Sequence, residues 1–158
     1  MVTTLAQPRR NDPIGALILW ATGVVETGRA IITGRMRLAA PTQAEPLHIG
    51  FGTGTTATAT TQTALVTERT VEARPAGTSS QQTTTTANDT YRVVGTFTMS
   101  QAGPVAITEA GLFDLTRGAA VAAPAGVMFL RSDFAAVNLS LNDSLTLTFL
   151  VQMTSTAA

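Results

Sequence analysis

The chain has 158 residues, no cysteine, and ten basic residues balanced by ten acids. That length fits one domain with a sizeable core, and the missing cysteines exclude disulfides, thiolate metal sites and cysteine nucleophiles. Zero net charge leaves no field to draw the chain onto nucleic acid or an anionic membrane.

Residues 1–13 contain Pro8, Arg9, Arg10, Asp12 and Pro13 without periodicity. They read as an extended N-terminal arm that orders only on a partner. Residues 14–25 form the most apolar stretch of the chain, shorter than the ~20 residues a bilayer span needs. Arg9 and Arg10 before an apolar run resemble the start of a secretory signal, but Asp12 and Pro13 interrupt that pattern. Trp20, the one tryptophan, is read either as a core residue or as an anchor into a neighbouring subunit.

Over residues 27–38 the helical spacing of Ala30, Ile31, Gly34 and Leu38 predicts a short helix. Two internal glycines weaken it by ~1 kcal/mol each. A strand follows at Leu47-His48-Ile49, and Gly50, Gly52 and Gly54 then read as a turn at its end. Glycines after a strand can cradle a phosphate when a helix follows. Here the next residues are Thr55, Thr56, Ala57, Thr58, Ala59, Thr60 and Thr61, and no lysine exists in the chain. Such β-branched runs favour extended backbone, so the phosphate reading fails.

Residues 72–89 read as a long polar loop or hairpin tip. Arg69 and Arg74 beside Glu68 and Glu72 read as a solvated set of ion pairs. From Thr90 onward the pattern has period two: Tyr91, Val93, Phe97 and Met99 share one face. Further short strands are expected at 105–108, 112–115, 127–132, 135–139 and 145–153. In the last, Leu145, Leu147, Phe149 and Val151 point one way. Short strands separated by glycine, proline and Asn142-Asp143 turns predict a mainly β chain, an antiparallel β-sandwich with jelly-roll connections as one option. Residues 14–158 are taken as a single domain.

Catalytic chemistry finds little to work with. His48 is the lone histidine, and the ten acids do not cluster as a carboxylate metal site would require. Ser100, Ser132 and Ser140 sit in no nucleophile elbow. Glu109, Asp114 and Asp133 leave open a carboxylate pair for glycoside cleavage; the stronger reading of Glu109 is that it fixes a turn by accepting hydrogen bonds from backbone N–H groups or an arginine. No catalytic, cofactor-binding or metal-ligating residue is assigned, and no cofactor or enzymatic activity is expected.

Four segments, in order, carry a family resemblance. They are the Val-Val-Glu-Thr-Gly-Arg-Ala run at residues 24–30; His48-Ile-Gly-Phe-Gly-Thr-Gly-Thr-Thr with Thr63-Ala-Leu-Val-Thr-Glu; Ile107-Thr-Glu-Ala-Gly-Leu-Phe-Asp; and Met128-Phe-Leu-Arg-Ser-Asp-Phe leading to Leu141-Asn-Asp-Ser-Leu-Thr-Leu-Thr-Phe. The chain thereby resembles tailed-bacteriophage virion proteins, a group of β-sandwich building blocks that includes head decoration (cement) proteins and tail or fibre components. The resemblance implies a structural role on the capsid exterior, with the major capsid protein and copies of itself, as dimer or trimer, for partners. Tail proteins are the alternative partners, a glycan- or receptor-binding module the further alternative, and neither nucleic acid nor a membrane is expected as a partner.

Overall fold

The structure is a computed structural model that describes residues 14–20, 24–37, 41–120 and 125–154, with backbone alone for 14–20. The expected arm of residues 1–13 lies outside the described residues, and so does the side chain of Trp20.

Among the described residues seven strands and one helix follow in chain order: β1 (Ile14–Trp20), α1 (Glu26–Arg37), β2 (His48–Gly52), β3 (Thr78–Gln82), β4 (Thr90–Thr98), β5 (Val105–Phe113), β6 (Met128–Leu139) and β7 (Ser144–Gln152). They make two sheets, ordered β1-β7-β4-β3 and β2-β5-β6. All pairs are antiparallel except β1 with β7. The fold is a mainly β sandwich with one short helix. Its described strands divide four and three, where a jelly roll has eight.

Alternation in the sequence selects which side chains fill the space between the sheets. Leu145, Leu147, Phe149 and Val151 of β7 are buried together with Val93 and Phe97 of β4. The facing sheet supplies Ile49, Phe51, Ile107, Ala110, Leu112, Leu130 and Leu139. Phe51 and Phe97 stack across the layers with ring centroids 3.5 Å apart, so the aromatic contact joins the two sheets at the centre.

Helix α1 closes one flank of the sandwich. Gly28 and Ile31 are its buried residues, whereas Ala30, expected on the apolar face, is exposed. The helix is pinned to β6 by backbone contact: Thr27 Oγ1 donates to Met128 O at 2.7 Å, and a Cβ on Gly28 would sit 2.0 Å from Phe129 O. Only glycine allows this approach.

Several boundaries differ from the sequence expectation. The segments 105–108 and 112–115 are one strand, β5, and 127–132 and 135–139 are one strand, β6. Their pairing steps from Ile107↔Val137 to Glu109↔Asp133, so β6 bulges at 134–136 instead of breaking. The polar stretch 72–89 is not a single loop. Its residues Thr78–Gln82 pair with β4 as a strand, and Asp89 ties the remaining tip by accepting from Thr84, Thr85 and Thr86 N–H.

Candidate functional site

Gly50 and Gly52 belong to strand β2 rather than to a turn after it, and Gly54 lies two residues beyond its end. Ile49, Gly50, Phe51 and Gly52 lie opposite Leu112, Gly111, Ala110 and Glu109 of β5. The close approach that requires glycine is to the Thr67 carbonyl, 2.3 Å from a Cβ on Gly52, and to a carboxylate of the protein itself. A Cβ on Gly52 would fall 2.7 Å from Glu109 Oε1, and one on Gly54 would fall 2.5 Å from it.

Glu109 is fully buried, and its two oxygens are saturated. Oε1 accepts Gly54 N–H at 3.1 Å and Thr67 N–H at 2.7 Å; Oε2 accepts Val66 N–H at 3.0 Å and Arg131 Nε at 2.8 Å. Burial of a carboxylate is tolerable only with such full satisfaction. The segment reads as an anion cradle whose anion is internal.

Arg131, also buried, extends the same attachment. Its guanidinium donates to Thr56 O at 2.8 Å, Gln62 Oε1 at 3.1 Å and Thr58 Oγ1 at 3.4 Å. Asp133, two residues along β6, accepts Thr58 N–H at 2.8 Å and Thr58 Oγ1 at 2.5 Å. The hydroxyl bond to Thr58 holds the Asp133 carboxyl below its ordinary range against the opposing effect of burial, with Thr58 N–H and Arg131 contributing further. Residues 53–68, which have no regular structure of their own, are thereby fastened over the outer face of the β2-β5-β6 sheet.

A second ionic cluster fastens the continuation. Arg74 pairs with both oxygens of Glu68 at 2.7 Å, donates to Ala125 O, and lies 3.4 Å above the Phe113 ring centroid. Arg117 Nε reaches Glu68 Oε1 at 3.2 Å while its terminal nitrogens donate to Thr70, Arg69 and Glu72 carbonyls. Glu72 receives Arg69 at 3.0 Å and both Ser100 N–H and Ser100 Oγ. Burial alone would push the Glu72 carboxyl up, but Arg69 and Ser100 outweigh it and hold it below the ordinary value.

The expectation of a solvated pair set at 68–74 is therefore wrong. The side chains of Glu68, Glu72 and Arg74 are at most 6% exposed. Paired charges three to six residues apart have the same spelling whether they face water or a neighbouring loop. What decides is Arg117, some fifty residues away.

The sequence candidates are thus dispersed among scaffolding duties. Glu109 and Asp133 are cross-strand neighbours, but Glu109 is sealed from any substrate. Asp114 accepts Val127 N–H at 2.5 Å and fixes the chain between β5 and β6. Ser132 is buried with no partner for its hydroxyl, and His48 Nδ1 is likewise unpartnered; these two lie on different strands and form no triad with an acid. Among the described residues no group of three or more potential metal ligands occurs, and no helix is long and apolar enough to cross a membrane. No protein-family model, curated protein or solved structure matches this chain.

Proposed function

We propose that this protein is a non-enzymatic structural component of a tailed-phage virion, a decoration protein that binds the outside of the shell and bridges neighbouring capsomers. The observation that carries the reading is the convergence in space of the sequence pieces that resemble such proteins. Gly52 and Gly54 from the second piece, Glu109 from the third, and Arg131 and Asp133 from the fourth form one attachment that holds residues 53–68 on the sheet. The first piece lies on the same strand β6, through Thr27 and Gly28.

Such a frame suits mechanical work. Glu68, Glu72, Glu109, Arg74, Arg117 and Arg131 are spent internally, and the outer face of the β4-β7 pair is hydroxyl-rich, with Thr96 bonded to Thr146 and Thr98 to Ser144 on the same face as Arg92. A copy that buries ~1,000 Å² against the shell gains modestly, and the repetition of the shell multiplies that gain.

The test is copy number. Quantitative densitometry of purified particles should find this chain in amounts comparable with the major capsid protein. A few copies per particle would overturn the decoration reading in favour of a tail or baseplate position, which rests on the same four segments.

A further inference from the structure

The β4 strand has an edge that its neighbour β3 does not cover. Met99 N–H donates to Asp143 O and Met153 N–H to Asp89 O; with Thr98 opposite Ser144 and Thr90 opposite Gln152, the odd-numbered residues of β4 bond to β7. The even-numbered ones face the other side. There β3 begins only at Thr78, opposite Val94, so Thr96 and Thr98 present main-chain N–H and C=O groups with no backbone partner among the described residues. Gly77, the residue before β3, turns away to bond Leu47 O.

This open edge is one wall of a groove of about 400 Å³. Val71, Ala73, Pro75 and Ser100 line it as well. Ser100 is the next even-numbered residue, and its N–H is taken by Glu72 Oε1 at 3.2 Å, so the free ladder is limited to Thr96 and Thr98. The groove is lined mostly by apolar atoms, and Glu72, its one charged lining residue, is already neutralised by Arg69.

We propose that this groove is a strand-docking site and that its occupant is the chain's own segment Val2-Thr3-Thr4-Leu5-Ala6-Gln7. That segment carries no charge, glycine or proline, and half of it is β-branched, which matches an uncharged groove beside an unpaired strand. The connection is long enough. Ile14 lies opposite Ser144, and Ser144 opposite Thr98, so β1 starts at the end of the sheet where Thr98 and Ser100 lie. From β1 across β7 and β4 to the groove is three strand spacings, ~14 Å, and residues 8–13 reach ~20 Å when extended. The added strand runs parallel to β4 and completes the ladder that β3 leaves unfinished.

Hydrogen exchange on the full-length chain tests this directly. The Thr96 and Thr98 amides should be protected, and Leu5→Pro, which removes a donor and disfavours the paired backbone, should speed their exchange by about tenfold. Fast exchange of both amides in the unaltered chain, or protection indifferent to Leu5→Pro, overturns the proposal. A disulfide test assigns the occupant, because the chain contains no cysteine of its own. At least one of Thr3→Cys, Thr4→Cys or Leu5→Cys, combined with Thr96→Cys, should form a bond within one chain under mild oxidation, while Thr4→Cys with Thr85→Cys should not. Bonds formed only between chains, or none, count against docking by the chain's own segment.

Discussion

At the scale of single residues, Glu109 is the group on which most local order depends. It receives three backbone N–H groups and one guanidinium, so replacing it removes the acceptor for all four while leaving Arg131 buried and charged. Glu109→Gln keeps the shape but loses the charge, and breaking a buried pair in this way costs about 3–5 kcal/mol. Urea unfolding of the variant should show that loss. The double variant Glu109→Gln with Arg131→Met should lose less than the sum of the two single changes, because the orphaned charge is gone; strict additivity would mean that the two groups act independently.

The sequence permitted part of this. Glu109 was legible as a carboxylate that accepts backbone N–H groups or an arginine, and the structure supplies both. Its partners were not legible, because Gly54, Val66, Thr67 and Arg131 come from three separate regions and nothing in their spacing links them. The glycines misled for the same reason. Gly52 and Gly54 resemble a turn when read along the chain, and only the Glu109 carboxylate and the 66–67 chain packed beside them explain why they have no side chain.

At the scale of elements, the contact between α1 and β6 shows tertiary packing overriding propensity. Alanine is the better helix former by ~1 kcal/mol, yet a Cβ on Gly28 would meet Phe129 O and Val24 Cγ1 at 2.0 and 2.7 Å. Backbone has to move to admit it, and overpacking of that kind costs about 1–3 kcal/mol. Gly28→Ala should therefore lower the unfolding midpoint, whereas Gly34→Ala on the same helix, with 3.6 Å of clearance to Gln43, should leave it unchanged or raise it. Equal effects at the two positions would show that the close approach does not matter. The helix itself was legible from its period over residues 27–38; its orientation was not, since Ala30 and Gly28 are equally small in the sequence and exchange roles in the fold. The strand bounds at β5 and β6 were missed for a related reason: Gly111 and the 134–136 bulge interrupt the alternation without ending either strand, since pairing resumes beyond the bulge.

At the scale of the molecule, the buried ion pairs predict how stability depends on pH. Glu72 and Asp133 have carboxyl groups held below their ordinary values in the folded state, and Asp89 is lowered too, first by Thr86 N–H. Groups with depressed folded values stabilise the fold above the unfolded range and lose that contribution as pH falls through the folded value. Thermal unfolding midpoints should thus hold steady from about pH 7 to about pH 5 and decline below about pH 4, the ordinary carboxylate range. Glu72→Gln should start lower at neutral pH and decline less. A midpoint that stays level to pH 2 would mean that these carboxylates do not stabilise the fold.

The sequence by itself determined the mainly β architecture, the core faces of β4 and β7, and the presence of one short helix. Each follows from a local period, and periods of two and 3.6 survive in any packing that buries one face. It also determined that disulfides and thiolate sites are absent. Only the tertiary structure decided that the arginine–glutamate pairs are buried, that the glycine run accommodates the chain's own carboxylate, and that β4 keeps an open edge beside a groove. The reason is physical: burial, close approach and an uncovered edge are relations between segments far apart in the chain, and a one-dimensional pattern does not encode which segment becomes a neighbour.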